Sequence, residues 1–148
     1  MTRAKVSKIL VLAALIAGCS AKNPAAPEGG PGAPGAGRDA APALEAGARI
    51  YSGNCVPCHQ QSGAGIPGVY PSLAGSPVVR GDPAELARWV IKGQRPPSMP
   101  VGRYSTQMLQ FGWMKPADAA ALFTYLRSSF GNSAPPVDAA SVAQALAP

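Results

Sequence analysis

The chain has 148 residues, with 13 Lys and Arg against 7 Asp and Glu, and a formal net charge of +6. This length allows one domain plus its two ends. Three of the basic residues fall within the first eight positions, and no basic stripe accompanies a recognisable nucleic-acid-binding module, so nucleic acid is excluded as a partner.

The first 18 residues have the pattern of an export signal. Three basic residues come first, namely Arg3, Lys5 and Lys8. An apolar run follows at residues 9–17, and it is too short to span a bilayer as a stable helix. This order predicts that the protein leaves the cytoplasm, and removal of residues 1–18 would lower the net charge to +3.

The Ile-Ala-Gly-Cys sequence that ends at Cys19 resembles the lipobox of bacterial lipoproteins. In those proteins the signal is cut before the cysteine, which then receives lipid, and several acyl chains hold a protein firmly on a bilayer. The alternative is an ordinary cleaved signal with a chance cysteine. The resemblance predicts a lipid anchor at Cys19 on the periplasmic side of a bacterial membrane. The residue that follows Cys19 is Ser20 rather than Asp, and this slightly favours the outer membrane as the location of the protein.

The remaining sequence divides into three parts by composition. Residues 19–41 are mostly Ala, Pro and Gly and have no large apolar side chains to bury, which predicts a flexible tether. Residues 42–134 are predicted to form the folded domain. Residues 135–148 begin with two prolines and continue as Ala-rich sequence, which predicts a weakly structured tail.

Three segments of the folded domain carry helical signals. Residues 43–53 have apolar side chains at helical spacing. The second helix begins at the Asp-Pro-Ala-Glu start signal of residues 82–85 and ends near Gly93. The third begins near Pro116 and ends before Gly131. Since no segment alternates long enough to predict a sheet, the predicted fold class is all-α.

Cys55, Cys58 and His59 form a Cys-x-x-Cys-His sequence, the attachment signature for haem c. Two thiols in one turn can each add to a haem vinyl group, which places the adjacent His under the iron. A redox Cys-x-x-Cys pair would open a helix in a βαβ setting, whereas this motif follows a helix. A structural zinc site needs four ligands, and the chain offers one His and two remaining Cys. The motif therefore predicts one covalent haem, which would also complete a core that is short of large side chains.

The second iron ligand must come from another residue type, because His59 is the only histidine. A methionine sulfur is the natural choice, and it raises the reduction potential relative to nitrogen ligation. Once Met1 is lost with the signal, three candidates remain, namely Met99, Met108 and Met114.

The middle of the chain resembles class I cytochromes c, and especially the cytochrome modules of periplasmic alcohol and related dehydrogenases. In that family a Gly and an aromatic residue before the first haem cysteine meet an aliphatic and an aromatic residue of the last helix. These positions are occupied here by Gly47, Tyr51, Leu122 and Tyr125. The resemblance implies the small class I cytochrome c fold, with about three to four helices around one covalent haem. It also nominates the Pro71 carbonyl as the acceptor of the His59 hydrogen bond.

The same resemblance bears on the second ligand. Dehydrogenase-type modules have a Met, an aromatic residue three positions on and a Trp five positions on, shortly before the last helix. Met108, Phe111 and Trp113 match this pattern, so Met108 is the predicted ligand. Leu109 stands where relatives usually have proline. Met99 is followed by proline but would require a long ligand loop, and it remains the alternative.

Haem iron ligated on both faces has no open position for a substrate, which predicts an electron carrier rather than an enzyme. The alternatives are the cytochrome subunit of a periplasmic dehydrogenase complex and, if neither methionine binds, a haem gas sensor. The predicted partners are redox proteins such as a dehydrogenase or a terminal oxidase. A set of basic residues could steer acidic partners or could be ordinary solvated charges. This set is Arg88, Lys92, Arg95 and Arg103.

Overall fold

A computed structural model describes residues 40–99 and 101–148. The predicted export signal, Cys19 and nearly all of the predicted tether lie outside these residues. The described part contains six helices: α1 (Ala40–Asn54), α2 (Val56–His59), α3 (Pro77–Arg80), α4 (Pro83–Lys92), α5 (Pro116–Ser128) and α6 (Ala139–Leu146). No strand occurs in it beyond an isolated bridge between Ile66 and Tyr70. The all-α prediction is confirmed.

Helix α4 begins and ends at the residues that mark it in the sequence. Asp82 Oδ1 accepts a hydrogen bond of 2.8 Å from the backbone N–H of Ala84, and Pro83 occupies the first helical position. Gly93 ends the helix with φ of 69°, the left-handed conformation that glycine adopts without a Cβ clash. Local capping chemistry is sufficient to define this helix.

Helices α1 and α5 cross at Gly47. A Cβ at this position would lie 2.7 Å from Tyr125 Cβ and would also overlap the carbonyl of Ala121. Only glycine permits this approach, which brings the first and last helices of the family pattern together. The crossing implied by the resemblance is confirmed.

Three aromatic rings close one side of this crossing. Tyr51 packs against Tyr125 and Phe130, with ring centroids 5.6 and 5.1 Å apart, and the latter two rings meet edge to face. The Tyr51 hydroxyl donates a hydrogen bond of 2.6 Å to the carbonyl of Gln60. The pKa of Tyr51 is raised to about 12, mainly by burial, with smaller contributions from the nearby Cys55 and Tyr125. The cluster therefore ties α1 to the residue that follows His59.

The tail differs from the weakly structured segment that the sequence predicts. Residues 139–146 form α6, which contacts α4 and α5 and buries Val142. Asp138 caps this helix, because its Oδ1 accepts from the backbone N–H of Ser141 at 2.8 Å. Thr124 Oγ1 on α5 accepts from the Val137 N–H and donates to the Val137 carbonyl. The Ala-rich composition conceals these few apolar and capping positions.

Arg127 joins α5 to the turn before α4 and to the tail. Its guanidinium donates to the carbonyls of Val79, Gly81 and Pro135 at 2.7 to 2.8 Å. Burial lowers the pKa of Arg127, and the charge of Asp82 opposes that effect. A buried charge is tolerated only when its polar atoms are bonded, and these carbonyls meet that need.

Within the part of the chain that the structure describes, no helix has the length and hydropathy needed to cross a membrane.

Candidate haem site

The haem motif begins where α1 ends. The Cys55 N–H donates to the Tyr51 carbonyl at 2.8 Å, and Cys58 and His59 follow on α2. Gln60 then reverses the chain with φ of 65°, a conformation that is uncommon for a residue other than glycine. The Gly65 N–H donates to the His59 carbonyl at 3.0 Å. These backbone bonds hold the motif in one compact turn.

Cys55 is a buried free thiol and Cys58 is a half-buried one. Burial raises the pKa of Cys55 to about 11, and the nearby Cys58 contributes to the rise. Redox-active Cys-x-x-Cys pairs instead have a lowered pKa, because the thiolate is the reactive form. The environment of Cys55 therefore argues against the redox-pair alternative.

His59 is only 6% exposed, and its Nδ1 lies 3.0 Å from the Pro71 carbonyl oxygen. Burial lowers the pKa of His59, and the hydrogen bond to Pro71 opposes that effect. A carbonyl can only accept, so this contact assigns the proton of the neutral ring to Nδ1. The lone pair of Nε2 is left for a metal, the usual arrangement of an imidazole ligand.

A cavity of about 660 Å³ lies beside His59. Cofactor pockets typically measure about 300–1,000 Å³ and have mostly apolar walls with a few polar groups. Cys55, His59, Pro71, Met99 and Met108 all line this cavity. Apolar side chains from α4 and α5 complete the wall, among them Leu86, Val90, Leu122 and Leu126.

The structure brings most of the predicted site residues to one cavity, with the exception of Cys58 among the described residues. Cys58 lies next to His59 on α2 and outside the lining of the cavity. Cys19 lies outside the described residues. Met114 joins Met99 and Met108 on the wall, and it is the most deeply buried of the three. Both the predicted sulfur ligand, Met108, and its alternative, Met99, therefore face the same cavity as His59.

The segment that carries Met108 is attached to α4. The Phe111 N–H donates to the Val90 carbonyl at 3.0 Å, and the Phe111 ring lines the cavity. Trp113 is 66% exposed and packs edge to face on Phe111, with ring centroids 6.2 Å apart. The aromatic residue of the family pattern thus supports the cavity wall, whereas the Trp faces solvent.

The four basic residues that the sequence groups together do not share one location. Arg95 and Arg103 line the cavity, and the Arg95 guanidinium lies 6.0 Å from the centre of the Trp89 ring. Arg88 instead lines a shallow groove between α4 and α6. Of the four, therefore, only Arg95 and Arg103 line the cavity in which a cofactor would bind.

This donor set fits haem better than a bare metal ion. The Cys55 thiol, a neutral imidazole and thioether sulfurs line a largely apolar cavity, and Cys58, the second thiol at the attachment spacing, lies beside His59 on α2. These are the groups that hold haem c. Among residues 40–99 and 101–148, no three His, Cys, Asp or Glu side chains cluster as a metal-ion site would require. The zinc alternative has no support in this part of the chain.

Comparison with known proteins agrees with the geometry. Residues 44–130 match the family model described as cytochrome c. The chain belongs to the cytochrome c family. This cytochrome therefore carries covalent haem c and transfers electrons. Bound haem would supply an iron that gains and loses one electron, and the hydrogen bond from His59 Nδ1 to the Pro71 carbonyl would hold the imidazole in place for it.

Two relatives show the range of proteins that resemble this cytochrome. It is 35% identical over 103 residues to the cytochrome c subunit of the quinone alcohol dehydrogenase of Gluconobacter oxydans. That match covers 68% of this chain and 22% of the subunit, so the chain spans less than a quarter of that relative's length. It is 32% identical over 92 residues to cytochrome c-552 of Thermus thermophilus, covering 59% of this chain and 70% of the relative.

Proposed function

We propose that this cytochrome is an exported, lipid-anchored electron carrier on the periplasmic side of a bacterial membrane. Cys55 and Cys58 bind the haem, and His59 and Met108 ligate its iron. The observation that carries the proposal is the single cavity that both His59 and Met108 line, with the Pro71 carbonyl orienting the imidazole. With both iron positions taken by the chain, electrons pass through the haem and no substrate binds the metal.

The ligand assignment is tested by absorption spectra of the ferric and ferrous protein. Wild type is expected to show the charge-transfer band of a methionine-ligated ferric haem. Met108→Ala should lose that band and bind carbon monoxide rapidly when reduced, because one iron position becomes open. Met99→Ala is the matched control, since its side chain lines the same cavity.

Loss of the band in Met99→Ala alone would transfer the ligand role to Met99. Rapid carbon monoxide binding by the wild type would replace the electron-carrier proposal with the gas-sensor alternative. Haem that is released on denaturation would contradict covalent attachment at Cys55 and Cys58.

The lipid anchor is supported by the lipobox-like sequence at Cys19 and by the Ala-, Pro- and Gly-rich residues after it. In the cell of origin or a bacterial host, wild type is expected in the membrane fraction, with acyl chains on Cys19 in the mass spectrum. Cys19→Ala should abolish lipid attachment. A version with an ordinary cleavable signal and the mature chain from Ser20 should be soluble with an unchanged haem spectrum. Wild-type protein without lipid would contradict the anchor.

A second candidate is a cytochrome subunit that accepts electrons within a periplasmic dehydrogenase complex. The similarity to the Gluconobacter oxydans subunit favours it. Stable copurification with a dehydrogenase in mild detergent would support the complex. A free carrier should instead be purified alone and be reduced quickly by a dehydrogenase in passing encounters, because redox partners typically share small interfaces.

A further inference from the structure

Asn132 is a buried amide that bonds the end of α5 to the segment that carries Pro71. It is only 5% exposed. Its Oδ1 accepts from the Gly75 N–H at 2.9 Å, and its Nδ2 donates to the carbonyls of Leu73 at 3.0 Å and Leu126 at 2.9 Å. Both amide hydrogens and the oxygen are engaged, so the side chain has a single well-defined orientation.

The turn after α5 places Asn132 in this position. Phe130 and Gly131 both have positive φ, 58° and 75°, and the Asn132 N–H donates to the Ser129 carbonyl at 2.9 Å. Left-handed backbone is unfavourable for a phenylalanine. Packing of the Phe130 ring against Tyr51 and Tyr125 holds it there. The chain therefore adopts an unfavourable local conformation that directs Asn132 back toward the protein interior.

The segment at residues 71–76 has no regular secondary structure of its own. On one side, the Leu73 N–H donates to the Gly63 carbonyl at 2.7 Å, which ties the segment to the turn that follows the haem motif. On the other side, Asn132 bonds both Leu73 and Gly75. The position of the Pro71 carbonyl, two residues before Leu73, therefore depends on bonds made to its neighbours.

We propose that Asn132 is a positioning residue for the haem ligand His59. By holding Leu73 and Gly75 it keeps the Pro71 carbonyl where the His59 Nδ1–H can donate to it. A hydrogen bond at Nδ1 makes the imidazole a stronger electron donor and stabilises ferric iron, so second-shell bonds tune the reduction potential. Asn132 thus lowers the potential through Pro71 and His59. This inference rests on the proposed ligation of iron by His59.

The test compares Asn132→Ala with Thr124→Val in the haem-loaded protein. Thr124 is a suitable control because it is also buried and also makes two side-chain bonds to a remote backbone, but its partner is Val137 in the tail. Three quantities are measured for each variant: the reduction potential, the solvent exchange rate of the His59 Nδ1–H by NMR of the reduced protein, and the free energy of unfolding.

Both variants are expected to lose stability, but only Asn132→Ala should alter the ligand. Its His59 Nδ1–H should exchange faster, and its ferric-to-ferrous ratio at a fixed ambient potential should fall severalfold, up to about tenfold. A tenfold change corresponds to about 59 mV for a one-electron couple. The shift should be toward a more positive potential.

The proposal is overturned if Asn132→Ala loses stability without changing the exchange rate and the potential, or if Thr124→Val changes them equally. Should Asn132→Ala fail to fold, Asn132→Asp retains the oxygen that accepts from Gly75 but lacks the Nδ2 donor. That variant is assessed by hydrogen exchange alone, because its new charge would itself change the potential. An unaltered exchange rate of the His59 Nδ1–H in Asn132→Asp also overturns the proposal. The wild-type spectrum tests ligation by His59 separately.

Discussion

At the scale of single residues, charged side chains on the cavity wall are expected to change the reduction potential of the haem iron. Arg95 and Arg103 are the basic side chains among the lining residues of the described chain. Haem carries two carboxylates, and ferric haem has one more positive charge than ferrous haem. A guanidinium near the haem therefore favours the ferrous form and raises the reduction potential.

Arg103→Gln is expected to make the reduction potential more negative. Because Arg103 is exposed, the change should be modest, up to about 1 kcal/mol or about 40 mV, and should shrink at high salt. Arg49→Gln is the control, since Arg49 lies on the surface of α1 beside Glu45. Redox titration at low and high ionic strength provides the measurement, and equal shifts in both variants would argue against a local effect of Arg103.

At the scale of helices, the α1–α5 crossing depends on one glycine, and α1 supplies its own control. Gly47→Ala is expected to destabilise the protein by about 1–3 kcal/mol, because the new methyl group overlaps the backbone of α5. Gly53→Ala should be neutral or stabilising by up to about 1 kcal/mol, since no atom lies within 4 Å of a Cβ there and alanine favours helix. Denaturant unfolding distinguishes them, and similar stability in the two variants would contradict the close crossing.

The α6 cap should make the tail sensitive to acid. Side-chain and backbone hydrogen bonds from Ser141 lower the pKa of Asp138 below its ordinary value of 3.8. A lowered folded-state pKa means that the carboxylate stabilises α6 above pH 3.8, and this contribution is lost as the pH falls through the lowered value. The protection of the α6 amides against hydrogen exchange, corrected for the intrinsic pH dependence of amide exchange, should therefore fall on acidification in wild type. Asp138→Asn should weaken that pH dependence, and an identical pH profile would exclude the cap as its source.

At the scale of the whole molecule, the sequence predicts the elements whose signals are local. Asp82, Pro83 and Gly93 define α4 without help from the rest of the chain, and Cys55 to His59 identify the haem site by spacing alone. Local signals do not predict that residues 139–146 form an ordered helix, because Val142 is buried only by contact with α4 and α5. Those contacts exist only once the rest of the chain has folded.

The same distinction explains which site residues the sequence misses. Pro71 is nominated by resemblance, whereas Asn132 has no motif around it and acquires its role from two non-local hydrogen bonds, to Leu73 and Gly75. A turn-forming Phe-Gly-Asn sequence after α5 is the only local indication. Residues that hold an irregular segment in place are difficult to find from sequence, since their partners are backbone atoms that carry no residue identity.

The cavity also bears on how the domain becomes stable. The cavity of about 660 Å³ is partly open to solvent and lined largely by apolar side chains, so without haem those side chains would contact water. The net stability of a typical domain is only about 5–15 kcal/mol, which makes the loss of this apolar contact significant. Residues from α1, α4 and α5 all border the cavity, so its contents determine whether these helices share a core.

The chain without haem is therefore expected to lose cooperative tertiary structure. A Cys55→Ser, Cys58→Ser double variant made without haem should show reduced helical circular dichroism, no sharp thermal transition and rapid proteolysis across α4 and α5. The haem-loaded wild type should melt cooperatively and resist the protease. Because α1 and α5 also meet directly through Gly47 and Tyr51, some helix should persist in that pair. A cooperative melt of the haem-free variant at the wild-type temperature would mean that the helices form their core independently of the cofactor.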